Sequence, residues 1–413
     1  MTDQATAIEV EPRELLAGPA APRAHVTLHL LDNDGVLFDA SHQSVYALNT
    51  TGTFIWCCLE EGLSPIEVIE RLQSSFGISA DTAADYLSAA IGRWRALHLV
   101  SDPRLGLDDA STAEPTARAE APDRSNPVKA GRPGGDEREY LLLDVGFRLR
   151  ILAPAVRREI ELLLAPLAAG AIRGDFVRLD LISDERGFVV LEEGCPYAHC
   201  RNEEEVVPLV KTCLIEIALK RSGDFGAVHA AAVARNNRCL LLPGQSGAGK
   251  STLTAALVAA GFELMGDDTT VLARGTLEAR PVPFAICVKE GAWDLLASRF
   301  PELRDRPIHH RLDGKKVRYL PPLPGCTWAK PRSRCGVDGL VFLNRVPEAK
   351  SSLVRLTGAD ALSRFAKEFC PLGDGLSPAK LDQLVAWIKR IDAYELRYSP
   401  LDDGVDQLTK LCR

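Results

Sequence analysis

The middle of the chain reads Gly244-Gln-Ser-Gly-Ala-Gly-Lys-Ser251, which fits the pattern Gly-x-x-x-x-Gly-Lys-Ser/Thr at every fixed position. The apolar residues 239–242 predict a buried strand before it, and residues 251–257 predict a helix after it. A glycine-rich loop between a strand and a helix directs successive backbone N–H groups at a phosphate chain. The sequence therefore predicts a nucleoside triphosphate site.

Two side chains of this loop have distinct expected tasks. Lys250 reaches the β- and γ-phosphates, and the hydroxyl of Ser251 binds Mg²⁺. We expect ATP and Mg²⁺ as the cofactors. The residues expected to hold the nucleotide are Gly244, Gln245, Ser246, Gly247, Ala248, Gly249, Lys250, Ser251 and Thr252.

Two adjacent carboxylates, Asp267 and Asp268, follow an apolar strand pattern at 261–266. Phosphoryl transfer needs one carboxylate linked to Mg²⁺ and one group that accepts the proton of the attacking hydroxyl. The pair can supply both, and we expect Asp268 with Ser251 as the metal ligands. A turn that ends a strand is the other interpretation, because Asp is common in turns.

The composition narrows the partners and the location of the protein. The length of 413 residues predicts two or three domains. Of these residues, 46% are hydrophobic and 25% are charged, and the net charge of −7 does not indicate a surface that binds nucleic acid. No apolar run reaches the roughly 18 residues of a membrane span, and the N-terminus lacks a signal-peptide pattern. The 11 cysteines suit a reducing compartment. We expect a cytoplasmic protein that binds neither nucleic acid nor membrane.

Four segments differ in pattern along the chain. Residues 1–22 are rich in Ala, Pro and Glu and are expected to be disordered. Residues 23–103 read as three short strands and then three helices, which predicts an α+β, winged-helix-like module. Residues 104–136 are rich in Pro and Gly, which is typical of a flexible linker. Residues 137–413 alternate strand and helix patterns and predict an α/β domain.

The last of these segments resembles the HPr kinase family, most specifically over 226–272. In that family a strand with a histidine precedes the phosphate loop and an Asp-Asp pair follows it, as Val228-His-Ala-Ala231 and Met265-Gly-Asp-Asp268 do here. The resemblance implies an α/β P-loop kinase of the HPr kinase and phosphoenolpyruvate carboxykinase type, with a mixed sheet. It also implies that Asp267 or Asp268 is the general base and that His229 orients or neutralises it.

Two departures from that family concern the substrate. Thr252 follows Ser251 where HPr kinases usually carry Glu, and their HPr-docking signature Glu-Ile-Arg-Gly-Leu-Gly is absent. These differences argue against HPr as the acceptor. Apart from the resemblance, a histidine on an apolar strand such as His229 is more often a core residue.

The first module resembles PqqD, a domain that binds the leader peptides of ribosomally made, modified peptides. The matching stretches are Gly35-Val-Leu-Phe-Asp39, Val45-Tyr-Ala-Leu-Asn-Thr50 and Gly52-Thr-Phe-Ile-Trp56. The resemblance implies that a peptide binds as an added strand beside a helix. A DNA-binding winged helix is the alternative. The acidic residues of the first module outnumber its basic residues, which argues against contacts with the phosphate backbone of DNA.

Together these features predict an ATP-dependent tailoring kinase. It would capture a ribosomally made precursor peptide by its leader and phosphorylate a Ser or Thr hydroxyl of the core, as kinases resembling HPr kinase do with lasso peptides. The linker would raise the effective concentration of the core at the active site. Lys289 and Arg318 are candidate cations for the γ-phosphate, or else solvated surface residues.

The expected partners are the precursor peptide, further tailoring enzymes and, by the resemblance to HPr kinase, a second copy of the chain in a homo-oligomer. Two alternative functions stay open. Phosphorylation could activate a side chain for dehydration or cyclisation, or the chain could be a non-catalytic peptide chaperone in which ATP switches affinity.

Overall fold

The computed structural model describes residues 20–101, 137–168, 174–346 and 350–413. They form two compact units. The first contains residues 20–101, Thr357–Lys367 and Leu376–Lys389, and the second contains the other described residues. The predicted linker over 104–136 and most of the predicted tail over 1–22 lie outside the described residues, so both stay predictions.

The first unit begins with an antiparallel meander and continues with three helices. Its strands are β1 (Val26–Leu31), β2 (Asp34–Asp39) and β3 (Ser44–Leu48). The helices that follow are α1 (Thr50–Glu60), α2 (Pro65–Phe76) and α3 (Ala80–Ala96). This order of three strands and three helices agrees with the sequence prediction.

Capping side chains explain where these helices begin and end. Asn49 Oδ1 accepts a hydrogen bond from the Gly52 N–H at 2.9 Å, before α1. Ser64 and Glu67 form a capping box at the start of α2, and a cap of this kind stabilises a helix by about 1 kcal/mol. α2 ends at Gly77, which adopts the left-handed conformation with a φ of 64°.

A tryptophan pair lies in the core between the sheet and these helices. Trp56 and Trp94 are 0% and 3% exposed, and their ring centroids lie 5.0 Å apart at an interplanar angle of 84°. Such an edge-to-face pair contributes about 0.5–1.5 kcal/mol beyond its burial. Leu37 of β2 belongs to the same cluster, with Leu72 of α2 and Leu87 of α3. One face of the sheet is therefore packed on α1, α2 and α3.

The second unit starts with a five-stranded sheet and two helices. The elements are β4 (Glu137–Leu142), β5 (Val145–Ile151), α4 (Pro154–Leu164), β6 (Phe176–Asp184), β7 (Gly187–Glu192), β8 (Cys195–Cys200) and α5 (Glu203–Arg221). The strand order is β4-β5-β6-β7-β8, and β5 and β6 are parallel while the other neighbours are antiparallel.

The chain then continues through β9 (Gly226–Val228), β10 (Ala230–Arg235), β11 (Arg238–Pro243), α6 (Lys250–Ala259), β12 (Glu263–Gly266), β13 (Thr270–Leu272), β14 (Ala279–Arg280), β15 (Ile286–Lys289), α7 (Trp293–Leu296), β16 (His309–His310), β17 (Lys316–Leu320), β18 (Thr327–Trp328), β19 (Val337–Arg345), β20 (Ser352–Arg355), α8 (Gly358–Ala366), β21 (Phe369–Pro371), α9 (Pro378–Ile388), β22 (Asp392–Tyr398) and α10 (Leu401–Leu411). Short 3₁₀ helices occupy Ala165–Leu167, Glu290–Ala292 and Pro301–Asp305. Within the described ranges, none of the helices combines the length and the apolar character needed to cross a bilayer.

A seven-stranded mixed sheet forms the centre of the second unit, in the order β18-β12-β10-β11-β19-β22-β20. β11, β19 and β22 run parallel, whereas β10 is antiparallel to β11 and β12. The predicted α/β class and mixed sheet are confirmed. Because the carboxyl ends of parallel strands meet at one edge, the loop after β11 and the residues that end β19 lie together there. Two smaller sheets, β14-β13-β9-β21 and β15-β17-β16, complete the unit.

The other face of the sheet in the first unit is covered by α8 and α9. Residues 35–39 of β2 are all buried, although successive side chains of a strand point to opposite faces. Leu37 faces α1, α2 and α3, so Val36 and Phe38 face the other way. There α8 contacts β2 and β3, and α9 contacts β1. The sheet is therefore enclosed by helices on both faces.

Hydrogen bonds tie this late part of the chain to the early strands. Ser363 Oγ on α8 donates to the backbone oxygen of Val45 at 3.3 Å. The Leu376 N–H, just before α9, donates to Gln43 Oε1 at 2.7 Å. No local pattern in residues 357–389 predicts this packing, because the contacts join segments that are remote in sequence.

Replacing Leu362 on α8, which is fully buried, by alanine should destabilise the first unit by about 2–5 kcal/mol. Since α8 packs on β2, Leu362→Ala should speed amide exchange in β2. Hydrogen–deuterium exchange of the full chain, read by mass spectrometry on the peptide that contains β2, measures this effect. Ile66→Ala on α2, where the side chain is 70% exposed, is the control and should change little. Equal exchange of β2 in the two variants would contradict the packing of α8 on this sheet.

Candidate active site

Three glycines shape the loop between β11 and α6. Gly244, Gly247 and Gly249 have φ angles of 154°, 100° and 93°, a region that other residues disfavour. A Cβ atom on Gly249 would also lie 3.0 Å from the hydroxyl of Tyr398. α6 begins at Lys250 with no side-chain cap, so its first N–H groups point toward the position of an anion. The loop therefore has the backbone form of a phosphate cradle.

The ammonium of Lys250 is folded back into this loop. Its Nζ donates to the carbonyl oxygen of Gly244 and, at 3.1 Å, to that of Gln245. It also lies 3.1 Å from Nε2 of His229. Burial lowers the pKa of Lys250 below its usual value, although the charge of nearby Asp268 opposes that shift. An anionic phosphate would be a stronger partner for this cation than the neutral carbonyls.

The two adjacent aspartates have different surroundings. Asp267 is 2% exposed, and its oxygens accept from Lys211 Nζ at 3.2 Å and from the Cys287 N–H at 2.7 Å. Asp268 has a side chain that is 30% exposed, and it lines a cavity beside the loop. The structure thus brings Asp268 to the cavity, while both oxygens of Asp267 are engaged in the interior.

His229 lies between two carboxylates. Its Nε2 is 3.0 Å from Asp268 Oδ1, and its Nδ1 is 3.2 Å from Glu368 Oε2. Its backbone N–H donates to the Glu368 carbonyl oxygen at 2.8 Å. A protonated Nε2 donates to Asp268, whereas an unprotonated Nε2 accepts from Lys250. The ring therefore connects Asp268 with Lys250 and Glu368.

Positive groups keep Asp268 ionised. Burial by itself would raise the pKa of this carboxyl, but the hydrogen bond with His229 and the charges of Lys211 and Arg311 outweigh it and hold the pKa well below its usual range. Nη1 of Arg311 lies 3.7 Å from Asp268 Oδ2. An ionised carboxylate that faces a cavity is suited to hold Mg²⁺ or to orient a hydroxyl.

The cavity beside the loop has a volume of about 460 Å³, which is in the range of small-molecule sites. It is lined by residues 247–252, Asp268, Lys289, 291–292 and 343–345. The two predicted metal ligands, Ser251 and Asp268, therefore line one cavity. The other predicted loop residues, 244–246, precede the lining residues. Among the described residues, no group of three or more His, Cys, Asp or Glu side chains is placed to hold a metal ion.

Several cations surround this cavity. Lys289 Nζ and Lys315 Nζ both donate to Ser246 Oγ in the loop, at 2.9 and 3.2 Å. Arg345 lines the cavity at the end of β19. Arg318, the other predicted cation, stacks over a tryptophan ring at 4.1 Å and donates to a backbone carbonyl. Of the two cations that the sequence suggested, Lys289 is the one that lines the cavity.

Four charged residues that no sequence motif indicates contact the predicted site. Lys211 lies on α5, Arg311 and Lys315 lie between β16 and β17, and Glu368 follows α8. No motif links these positions to the phosphate loop, because each contact joins distant parts of the chain. These residues are charged, but charge alone does not show which residues they contact in the folded chain.

A second cavity, of about 1060 Å³, lies within the first unit. It is lined by residues 44–48 of β3, by α3 and by α8. β3 is an edge strand of its sheet, and such an edge carries unpaired backbone N–H and C=O groups. This peptide-sized channel, called the β3 groove below, can accept an extended chain.

The first unit is similar to a known protein family. Residues 34–100 match the model of a family described as coenzyme PQQ synthesis protein D (PqqD). The first unit therefore contains a PqqD domain, as the sequence resemblance implied. No curated protein matches the chain.

Two solved structures are similar to a small part of the chain. TbiB1 in complex with the TbiA(beta) leader peptide is 21% identical with a TM-score of 0.19, and the match covers 22% of this chain and 99% of that one. A lasso peptide synthetase B1 complexed with the leader peptide is 21% identical with a TM-score of 0.20, and the match covers 21% of this chain and 100% of that one.

Breaking the buried ion pair should separate the roles of the two aspartates. Asp267→Asn removes the carboxylate that is hydrogen-bonded to the buried Lys211 ammonium and should lower the free energy of unfolding by about 3 kcal/mol. Asp268→Asn should lower the free energy of unfolding by less, because the Asp268 side chain is partly exposed. Chemical denaturation of both variants measures the difference. The double variant Lys211→Met/Asp267→Asn should regain part of the stability, because it removes both charges. A larger loss in Asp268→Asn than in Asp267→Asn would contradict this assignment.

Proposed function

We propose that the chain is an ATP-dependent kinase that captures a ribosomally made precursor peptide by its leader and phosphorylates a Ser or Thr hydroxyl of the core. The observation that carries the proposal is the position of Asp268. This ionised carboxylate contacts His229 and faces the same cavity as Lys250 and the phosphate-type loop. The PqqD domain at 34–100 supports the peptide-binding part.

The loop would bind the triphosphate of ATP. Backbone N–H groups at the start of α6 would donate to phosphate oxygens. Lys250 would exchange its carbonyl partners for β- and γ-phosphate oxygens, which are charged and therefore stronger acceptors. Lys289 and Lys315, which converge on Ser246, would add positive charge next to the transferred group.

The residues present fit a magnesium ion. Ser251 offers a hydroxyl oxygen and Asp268 an ionised carboxylate, and both line the same cavity. Mg²⁺ prefers such oxygen ligands and usually completes its shell with phosphate oxygens and water. When bound, the ion would neutralise charge that develops on the phosphate oxygens.

The transfer step forms a bond between the acceptor oxygen and the γ-phosphorus and breaks the bond from that phosphorus to the departing ADP oxygen. Asp268 and His229 would orient the hydroxyl, and the His229–Asp268 pair would take its proton. Glu368 holds the imidazole ring through Nδ1. Because phosphoryl transfer depends chiefly on positioning and electrostatics, the low pKa of Asp268 is compatible with this role.

The leader would bind in the β3 groove. A peptide added as a strand would form main-chain hydrogen bonds with the edge of β3 that has no partner strand among the described residues, and its side chains would fill the space beside α3. This mode of recognition tolerates variation in the core, because the core is not part of the added strand. One enzyme could then modify a core sequence that the groove does not read.

Lys250→Ala should weaken the binding of ATP-Mg²⁺ by about 10- to 100-fold, since hydrogen bonds to charged groups contribute about 1.5–3 kcal/mol. The fold should survive, because an unliganded loop needs no charge at this position. Isothermal calorimetry measures the affinity and thermal melting checks the fold. Lys330→Ala, at an exposed position outside the cavity, is the control. An unchanged affinity in Lys250→Ala would refute the nucleotide site.

The kinase activity is tested with the full chain, ATP-Mg²⁺ and each short peptide encoded beside the gene. We expect one of these peptides to gain a phosphoryl group on a Ser or Thr, as seen by tandem mass spectrometry. Asp268→Asn should slow this transfer by about 10²- to 10⁴-fold, as for removal of a positioned acid–base group. Asp374→Asn, an exposed position in the same unit, should have no effect.

The other outcomes of this experiment are distinct. Loss of water from the peptide would indicate activation for dehydration or ring closure. Tight binding of ATP and peptide without any change in peptide mass would indicate a chaperone. A wild-type rate in Asp268→Asn would remove this residue from the mechanism.

A further inference from the structure

We propose that α8 forms the second wall of the β3 groove and selects the charge of the peptide bound there. The proposal rests on the proposed leader binding and adds the residues that read the leader. α8 (Gly358–Ala366) is remote in sequence from residues 34–100, which match PqqD, yet it belongs to the same compact unit. The groove is thus built by two remote parts of the sequence.

The edge of β3 supplies the floor of the groove. β3 pairs with β2 along one edge, and no strand in the described part of the chain pairs with the other. Ser363 Oγ on α8 donates to the Val45 carbonyl oxygen of this strand at 3.3 Å. α8 therefore contacts the backbone of β3 itself, next to the position of an added strand.

The two walls differ in chemistry. The wall from α3 is mostly apolar, with Ala89, Ala90, Trp94 and Ala96, and carries one charged side chain, Arg93. The wall from α8 presents polar and charged side chains at helical spacing, namely Asp360, Ser363 and Lys367. Successive side chains of a strand point in opposite directions, so an added strand would send alternate residues to each wall. The fitting peptide alternates apolar residues with polar ones.

The contacts of α8 give its direction along β3. A Cβ atom on Gly358, at the start of α8, would lie 3.3 Å from Leu31 Cδ2, where β1 turns into β2. Ser363, one turn further on, contacts Val45 near the start of β3. Because the end of β3 pairs with the start of β2, α8 begins near the end of β3 and finishes near its start.

The groove is consequently acidic at one end and basic at the other. Asp34 and Asp360 line it near the end of β3, and Arg364 and Lys367 line it near the start. Arg93 on α3 also lines the groove. Complementary charges fix the register and the direction of a bound chain more than its affinity. The geometry points to an extended, amphipathic peptide whose acidic side chain lies beside Lys367.

Selection of a phage-displayed library of random peptides on the purified full chain tests this inference. Peptides enriched on the wild type should alternate apolar and polar residues and share an acidic residue at one position. Lys367→Glu should abolish that acidic preference and weaken the wild-type peptides by about fivefold. Changing the shared acidic residue of the peptide to Lys should restore its affinity for Lys367→Glu and reduce it for the wild type.

Two further variants make the result decisive. Lys389→Glu makes the same charge change at an exposed position of the first unit that does not line the groove, and it should leave the selection unchanged. Ala89→Arg places a large side chain on the exposed α3 wall and should abolish enrichment altogether.

The outcomes separate the two proposals. If Ala89→Arg abolishes enrichment but Lys367→Glu keeps the acidic preference and the affinity, α8 does not read the peptide and this inference is overturned while leader binding stands. If Ala89→Arg leaves enrichment unchanged, or if the wild type enriches no peptide, the β3 groove is not a peptide site and both proposals fail.

Discussion

The buried ion pair between Lys211 and Asp267 holds together the elements around the phosphate-type loop. Lys211 comes from α5, Asp267 follows β12 of the central sheet, and the Cys287 N–H that completes the carboxylate's bonding belongs to β15. Removing either partner of such a pair is strongly destabilising, because it leaves the other charge buried without compensation. Since Asp268 is the next residue, the anchoring of Asp267 also fixes where the carboxylate of Asp268 enters the cavity.

The cations around the cavity that Asp268 lines already have hydrogen-bond partners. Lys250 is bonded to loop carbonyls, and Lys289 and Lys315 are bonded to the hydroxyl of Ser246. These partners are neutral, whereas Lys315 Nζ also pairs with Asp313 Oδ2 at 2.9 Å. In the proposed function, a phosphate would replace the neutral partners. His229 lies beside these groups and contacts both Asp268 and Glu368.

The first unit includes residues 357–367 and 376–389, which pack on its sheet although they are remote from it in sequence. Its three-stranded sheet is apolar on both faces, and α1, α2 and α3 cover one of them. α8 and α9 cover the other, and in the described residues the outer edges of β1 and β3 have no partner strand. The residue after Lys367 in the sequence is Glu368, which contacts His229 in the second unit. The wall of the groove and the candidate active site are thus consecutive in the chain.

The sequence by itself determined the local structures: the loop at 244–251 with its flanking strand and helix, the capping of α2, and the position of Asp267 and Asp268 after a strand. Each depends on residues a few positions apart, whose backbone preferences and short-range hydrogen bonds can be read along the chain. His229 was a candidate only through the family resemblance. The tertiary structure decided which aspartate faces the cavity, because the answer depends on Lys211 on another helix. It also decided which cations approach the loop and which helices enclose the β3 groove. Such contacts join residues that are distant in sequence, and their burial and charge environment exist only once the chain has folded.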